Sequence, residues 1–158
     1  MPSTIRLPHR QQEFDYSCLP ACARMILAAF GREVPEAELR QLLKTRASVG
    51  THTLHFRNLD AVGFEADWPY PSTLNDVRDH VERGLPVVVF LWTGALKHWP
   101  ETAGVDYLHT AVAVGFTDDG ILLHDPKFLD GPTEIPLEDF LEAWRLADHL
   151  IALIRLHK

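Results

Sequence analysis

Helical and strand-like segments do not alternate along this chain but follow one another in two blocks. Segments with helical periodicity come first, at 18–30, 36–46, 51–63 and 72–84. Strand-like apolar runs come afterwards, at 86–92, 108–116, 121–126 and 150–157, with a short helix at 136–144 before the last of them. Helices followed by strands favour an α+β fold with an antiparallel sheet over a doubly wound fold. We therefore expect an N-terminal helical half packed on a C-terminal antiparallel β-sheet half.

Polar residues mark where the predicted helices begin. The third helix is expected to start at a Thr51 or Thr53 cap, and the fourth at a Ser72 cap. Residues 3–8, with the sequence STIRLP, could form a short opening strand. The loop at 96–107 could border a cleft between the two halves.

A chain of 158 residues fits one domain, which we place at residues 1–158. Such a chain can bury about two thirds of its unfolded surface, so its fold needs no disulfide or metal for stability. An apolar content of 46% and a charged content of 23% are ordinary for a soluble globular protein.

Charge and hydropathy exclude several classes of partner. The longest apolar run, PVVVFLW at 86–92, is far too short to span a bilayer, so we expect no membrane segment. The N-terminal sequence lacks the apolar core of a secretory signal, which favours the cytoplasm. The net charge is -7 and no basic stripe is present, so nucleic acid is a poor partner. The sequence does not predict an oligomeric state.

The two cysteines, Cys18 and Cys22, lie four residues apart at the start of the first helix. A regular helix disfavours a disulfide at this spacing, so we expect free thiols, with Cys22 a small core residue. Asp15 or Ser17 could cap the helix. A thiol at the first turn of a helix suits a nucleophile better than a purely structural residue.

A helix N-terminus alone cannot ionise Cys18. The helix dipole contributes about 0.3 to 1 kcal/mol, whereas lowering a thiol pKa from about 8.5 to about 4 takes about 6 kcal/mol. A cationic histidine elsewhere in the chain must therefore fold against this turn. Among nine histidines, His109 differs because it begins an apolar strand. The small residues on its face, Ala111 and Ala113, are expected to let the cysteine helix approach closely.

Asp125, at the end of the next strand, is the candidate to orient the imidazole. A three-residue hairpin loop at 118–120 would place Asp125 across from Ala113. Asp125 would then share a face with His109 but lie diagonally, so strand twist or a bulge must bring the two together. The alternative is that Asp125 only caps a turn before Pro126.

Acyl transfer also needs hydrogen-bond donors for the oxyanion. The backbone N–H of Cys18 is one candidate, and the side-chain amide of Gln12 is the other. An isolated glutamine in a loop is usually only solvated. The order glutamine, cysteine, histidine, aspartate makes four weak signals agree.

Several stretches resemble the C39-type peptidases, a bacterial branch of the papain-like cysteine peptidase fold. They are QEFDYSCLPACARMILAAFG from Gln12, the GT within VGTHTL, GLPVVVFL, and HTAVAVGFTDDGILLHDP from His109. The most specific parts are five residues between Gln12 and Cys18 and fifteen between His109 and Asp125. The resemblance implies a helical half carrying the nucleophile, a sheet half carrying the base, and a cleft between them.

By this resemblance, Cys18 is the nucleophile, His109 the general base and acid, Asp125 its orienting partner and Gln12 the oxyanion donor. The sequence departs from many members of the family at Ser17 and Leu19, where an aspartate and a glycine are common. The substrate is expected to be a peptide or protein.

Four functions are compatible with these residues to different degrees. The first is a thiol hydrolase of a peptide or isopeptide bond, and the second is an acyltransferase or transglutaminase that uses the same triad. The third is a catalytically silent peptide-binding domain, which the presence of all four residues disfavours. The fourth is a metal site, but Cys18, Cys22 and the histidines lack a standard zinc spacing. We expect neither a metal nor a cofactor.

Overall fold

The computed structural model describes residues 4–47, 49–99 and 106–156. The α-helices are α1 (Cys18–Ala29), α2 (Glu36–Leu42), α3 (Leu74–Glu82) and α4 (Leu137–Leu146). The strands are β1 (Phe64–Ala66), β2 (Tyr70–Pro71), β3 (Val87–Trp92), β4 (Leu108–Phe116), β5 (Gly120–His124), β6 (Thr133–Pro136) and β7 (Leu150–Leu156). Two 3₁₀ helices lie at Thr53–Val62 and Thr93–Ala95.

The strands form one sheet in the order β1-β7-β3-β4-β5-β6, and β2 also pairs with β7. Every pairing within it is antiparallel. Helices come first and most strands second, so the predicted α+β fold with an antiparallel sheet is confirmed. β4 lies inside the sheet between β3 and β5, and its residues 109–115 are buried.

Each face of the sheet has its own hydrophobic cluster. On one face, α1 packs through Leu19, Ala23 and Ile26 against a group of β-strand residues that includes Val88, Val112 and Val114. On the other face, α3 and α4 pack through Val77, Val81, Phe140 and Trp144 against Val87, Val89, Ala111 and Ala113. Burial of both faces explains why the central strands are almost continuously apolar.

The prediction of which face of β4 packs against the cysteine helix was wrong. Ala111 and Ala113, which alternate with His109, belong to the cluster under α3 and α4. Helix α1 instead lies on the alternate face, where its Cys22 contacts Thr110. Cys18 therefore interacts with His109 near the start of β4, and no small residues beneath the helix are involved.

Several local predictions also need correction. The third predicted helix is a 3₁₀ helix, and its N-cap is His52, whose Nδ1 accepts the Leu54 N–H at 3.0 Å. Thr73, and not Ser72, caps α3. The opening segment is not assigned as a strand within residues 4–8, although the Ile5 N–H donates to the Val114 carbonyl at 2.9 Å. Among the described residues, no helix combines the length and apolarity that crossing a membrane requires.

Candidate active site

Cys18 is the first residue of α1 and is partly exposed, whereas Cys22 one turn later is fully buried. Both thiols are free. The preceding residue, Ser17, occupies the N-cap position without capping the helix through its side chain. Its hydroxyl donates to the Phe14 carbonyl at 2.9 Å and accepts the Phe14 N–H at 3.0 Å. Ser17 thus closes the tight turn that delivers Cys18 to the helix start.

His109 and Asp125 form a buried hydrogen-bonded pair. His109 Nε2 lies 2.7 Å from Asp125 Oδ1, and the two residues are 1% and 2% exposed. Trp99 Nε1 donates to Oδ2 at 3.0 Å, and the Lys127 N–H donates to Oδ1 at 2.9 Å. Both carboxylate oxygens are therefore occupied, as a buried charge requires. This arrangement fixes the ring and leaves the opposite nitrogen, Nδ1, for another group.

The hairpin between β4 and β5 is tighter than the sequence suggested. The Thr117 N–H donates to the Gly120 carbonyl at 2.9 Å, and the Gly120 N–H returns to the Thr117 hydroxyl at 2.9 Å. Only Asp118 and Asp119 lie between these residues. The predicted three-residue loop is wrong, and the connection has two residues.

A bulge then shifts the register of the same two strands. The ladder slips between Ala113 and Gly115. With the shorter loop, this slip pairs Val112 with His124 at the end of β5, so Asp125 follows beyond Val112, about two residues closer to His109 than its predicted place opposite Ala113. A step of two residues spans about 7 Å along a strand. The sequence argument called for strand twist or a bulge. A bulge is present, and together with the shorter loop it brings the carboxylate towards His109.

The site favours a thiolate beside an imidazolium. For Cys18, burial opposes ionisation, but hydrogen bonding with His109, the charge of His109 and hydrogen bonds with Thr110 together lower the thiol pKa below its usual value. For His109, burial acts against the charge, but the Asp125 carboxylate and Cys18 raise the pKa to about 9. The pKa of Asp125 is lowered despite burial, because the charge of His109 and hydrogen bonds from His109, the Lys127 N–H and Trp99 stabilise the carboxylate.

His109 Nδ1 is buried and has no hydrogen-bond partner of ordinary geometry among the described residues. The nitrogen that does not bind Asp125 is thus available to Cys18, whose thiol interacts with the same ring. An unpaired buried nitrogen is costly in a purely structural histidine. Its presence fits a ring that exchanges a proton with a nucleophile or a substrate.

Sequence reasoning missed Thr110. Its hydroxyl accepts from Cys22 Sγ at 3.6 Å, and its side chain and backbone also hydrogen-bond to Cys18. Burial and then the neighbouring charge of Cys18 raise the pKa of Cys22 well above its usual value. The pKa values of the two thiols of α1 are therefore shifted in opposite directions, that of Cys18 downwards and that of Cys22 upwards. A buried threonine beside a histidine in an apolar strand gives no sequence signal of this role.

Sequence reasoning also missed two aromatic residues around the imidazole. The ring of Trp99 meets the His109 ring edge to face at 4.5 Å, and the ring of Tyr107 lies at 6.5 Å. Both belong to the loop at 96–107 that was expected to border a cleft, of which residues 100–105 lie outside the described part. Aromatic cover of this kind limits water around the buried His109–Asp125 pair.

Gln12 lies beside the turn that follows Asp125, because its N–H donates to the Pro126 carbonyl at 2.7 Å. Its side-chain Nε2 donates to the Phe14 carbonyl at 2.7 Å, which uses one of two hydrogens. Its Oε1 is buried and has no partner among the described residues. The second hydrogen on Nε2 is the one that an oxyanion could use.

Comparison with known proteins places the chain. The model of the Peptidase_C39 like family matches residues 4–151. No curated protein sequence matches significantly. The solved peptidase domain of Streptococcus ComA, a bifunctional ABC transporter of a quorum-sensing pathway, superposes with a TM-score of 0.74 at 20% identity, over 94% of this chain and 98% of that one.

Two further solved structures share the fold. A double-glycine-motif protease from an AMS/PCAT transporter, in complex with its leader peptide, gives a TM-score of 0.71 at 18% identity, covering 97% of this chain and 94% of that chain. A protein described as a C39-like peptidase from Bacillus anthracis gives 0.73 at 19%, covering 98% of both. The family match spans nearly the whole chain, and the α+β architecture agrees with it, so the chain belongs to the Peptidase_C39 like family.

Proposed function

We propose that this protein is a cysteine peptidase that cleaves a peptide or isopeptide bond through a thioester on Cys18. The observation that carries the proposal is the paired geometry of His109. One ring nitrogen is held by Asp125 at 2.7 Å, and the other has no partner of ordinary geometry among the described residues while the ring lowers the pKa of Cys18. A buried imidazole with a pKa of about 9 carries a proton at neutral pH, which is the form that stabilises a thiolate.

The proposed reaction has two halves. The thiolate of Cys18 attacks the scissile carbonyl carbon, and the imidazolium of His109 gives its proton to the leaving amine. The neutral imidazole then takes a proton from water, whose oxygen attacks the thioester. The C–S bond then breaks and the carboxylic acid leaves. The released thiolate of Cys18 and the imidazolium of His109, which keeps the proton taken from water, restore the starting pair. Asp125 holds the ring and stabilises its charge throughout.

The oxyanion of each tetrahedral intermediate would be held by two donors. The Cys18 backbone N–H lies at the first position of α1, where helix N–H groups lack acceptors within the helix. The Gln12 amide supplies a second donor without adding charge. A helix N-terminus is also electropositive, which favours the negatively charged oxygen.

The substrate of this proposed peptidase is a peptide or protein. A solved relative with the same fold is a protease in complex with a leader peptide. The cleavage specificity of that relative is not transferred to this chain. We also propose that the chain acts as one domain, since one sheet carries both hydrophobic clusters, and that it works in the cytoplasm, which suits two free thiols.

A peptide-mixture assay tests this function. The native protein and the Cys18→Ala variant are incubated with a diverse peptide mixture, with and without an added primary amine, and products are identified by mass spectrometry. We expect new peptide ends from the native protein, none from Cys18→Ala, and retained cleavage in the matched control Cys22→Ala. Products that carry the added amine would assign acyl transfer instead. Equal cleavage by Cys18→Ala would overturn the proposal.

A further inference from the structure

A short segment of the chain links Gln12, the proposed oxyanion donor, with Asp125, which holds the ring of His109. We call residues 9–12 the strap and residues 125–128 the turn. The strap lies along the turn through three hydrogen bonds: His9 Nε2 with the Phe128 carbonyl at 2.7 Å, Gln11 Nε2 with the Lys127 carbonyl at 3.2 Å, and the Gln12 N–H with the Pro126 carbonyl at 2.7 Å. The position of Gln12 and that of Asp125 are therefore coupled.

Two histidines anchor this contact. His9 Nδ1 lies 2.9 Å from His124 Nδ1, and the ring centroids are 5.2 Å apart. His124 is the last residue of β5, directly before Asp125, and is 2% exposed. A hydrogen bond between two imidazole nitrogens needs a proton on one of them and a lone pair on the other.

The geometry limits how many protons the two rings can hold. The Phe128 carbonyl can only accept, so His9 Nε2 must carry a proton. In the neutral pair, His9 Nδ1 is then the acceptor and His124 Nδ1 the donor. One excess proton on His9 reverses the direction of the bond and keeps it. A second excess proton would set two N–H groups against each other at a separation of 2.9 Å, so the bond would be lost.

The surroundings do not relieve that clash. A Cβ on Gly131 would lie 2.5 Å from His9 Nδ1 and 2.9 Å from His124 Nδ1, so the chain closes over the pair. On β4, the residue paired with His124 is the apolar Val112. Asp125 is engaged by His109 and Trp99 on its two oxygens.

The charged neighbours of the strap are also engaged elsewhere. Arg10 donates to Glu33 at 3.3 Å, and Glu33 also accepts from Arg24 at 3.1 Å. Lys127, in the turn, lies 5.6 Å from the Trp99 ring centroid. In keeping with these surroundings, burial and then the charge of His9 lower the pKa of His124 to about 4.

We propose that His9 and His124 form a positioning pair for the active site, which holds the strap and the turn together while it carries at most one excess proton. The inference rests on the proposed peptidase function and adds to it a built-in sensitivity to acid. Uptake of a second proton separates the two rings. The turn then loosens, Asp125 no longer fixes His109, and Gln12 leaves its position.

An NMR titration of the native protein tests the pair without any assay of activity. We expect the His124 ring to stay neutral until the pH approaches about 4. The amide signals of the turn, residues 125–128, should shift with that same titration. Protonation of His124 near the ordinary histidine pKa of about 6.5, or turn signals that do not follow it, would overturn the proposal.

A variant separates positioning from a merely structural role. Asparagine in His124→Asn can still donate to His9 but cannot take up the second proton. The rate of Cys18 alkylation by iodoacetamide is measured from pH 7 to pH 4 in the native protein, in His124→Asn and in the control His80→Asn on α3. For any titrating group, the unprotonated fraction falls about tenfold with each pH unit below the midpoint of its titration, so a shifted midpoint is readily measured.

We expect the acid fall of the alkylation rate to move to lower pH in His124→Asn and to stay unchanged in His80→Asn. An equal loss of rate at every pH in His124→Asn would mean that the pair is only structural and would overturn the inference. Failure of the proposed function looks different. In that case no peptide is cleaved at neutral pH, while the coupled titration of His124 and the turn is still observed.

Discussion

At the scale of single residues, the contact with His109 sets the pKa of Cys18 apart from that of Cys22. Hydrogen bonds with Thr110 help to lower the pKa of Cys18, and the Thr110 hydroxyl also accepts from Cys22. Burial raises the pKa of Cys22 far more than its partners lower it. We therefore expect a single reactive thiol on this helix, although it carries two cysteines.

The variant Thr110→Val removes these hydrogen bonds at nearly constant volume. One hydrogen bond to a charged group is worth about 1.5 to 3 kcal/mol, and one pKa unit corresponds to about 1.4 kcal/mol. We expect the midpoint of the pH profile of Cys18 alkylation to rise by about one pH unit or more. The control Thr133→Val, on the edge strand β6, should leave the midpoint unchanged. An unchanged midpoint in Thr110→Val would contradict the role given to this hydroxyl.

Residue identities at the site were more readable from the sequence than their distances. The position of Cys18 at a helix start and the shared face of His109 and Asp125 followed from cap signals and strand alternation. The 2.7 Å contact between His109 and Asp125 did not, since it depends on a loop one residue shorter than expected and on a bulge. Trp99 gave no signal because its role depends on a fold of the loop that no periodicity encodes.

At the scale of elements, the β4–β5 hairpin sets the geometry of the base. β5 starts at Gly120, in a tight connection, and ends beside Asp125. A displacement of the strand at Gly120 is therefore expected to displace Asp125 as well. A Cβ on Gly120 would lie only 2.3 Å from the Ile135 carbonyl oxygen of β6. Backbone atoms cannot move aside as a flexible side chain can. Glycine at this position therefore allows β6 to pair with β5.

The variant Gly120→Ala should destabilise the protein by about 1 to 3 kcal/mol, the usual cost of overpacking. It should also lower peptidase activity, because β5 positions Asp125. The control is Gly63→Ala, whose Cβ meets nothing within 4 Å but whose φ of 90° strains alanine by about 1 to 2 kcal/mol. Urea unfolding and cleavage rates check both variants. Loss of activity in Gly63→Ala equal to that in Gly120→Ala would contradict this role for the hairpin.

Long elements were predicted well and short ones were not. The strand Leu108–Phe116 has the predicted limits, and α1 ends next to its predicted glycine signal at Gly31. β1 and β2 have three and two residues, too few to show alternation. The segment Thr53–Val62 has a helix-like sequence but forms a 3₁₀ helix, a distinction that periodicity over ten residues does not resolve.

At the scale of the whole molecule, the buried thiolate–imidazolium pair affects how stability depends on pH. His109 has a pKa raised to about 9, so its charge stabilises the folded chain below about pH 6.5 and this contribution is lost as the pH rises to about 9. Cys18 has a lowered pKa, so its contribution is present above 9.0 and is lost as the pH falls through the folded value. Where both apply, the two slopes oppose each other.

The variant Cys18→Ala removes this compensation. Asp125 still raises the pKa of His109, although the contribution of Cys18 to that shift is lost. The free energy of unfolding should therefore fall above about pH 6.5, relative to the native protein, by up to about 1.4 kcal/mol per pH unit until the remaining His109 pKa is reached. Urea unfolding at several pH values measures the slope. Cys22→Ala should run parallel to the native curve up to about pH 8, because below its ordinary pKa of 9.0 this thiol is protonated in both the folded and the unfolded chain. Parallel curves for Cys18→Ala and the native protein would contradict the charged pair.

The order of helices and strands was sufficient to predict the fold class but not which face carries α1. Ala111 and Ala113, which alternate with His109 along β4, were expected to pack against the cysteine helix. Larger apolar side chains from α3 and α4 pack against them instead. Small residues permit close packing without choosing the partner, and that choice depends on the connections between elements. A single sequence does not encode these connections in a local pattern.

The pH dependence of thiol alkylation tests the central claim, that His109 ionises Cys18, most directly. The native protein and His109→Gln are treated with iodoacetamide across a pH series, and the modified cysteine is identified by peptide mapping. We expect rapid modification of Cys18 near pH 6 with Cys22 unmodified, and a midpoint for Cys18 in His109→Gln at or above the ordinary thiol value of about 8.5. Equal slow labelling of both cysteines in the native protein, or an unchanged profile in His109→Gln, would contradict it.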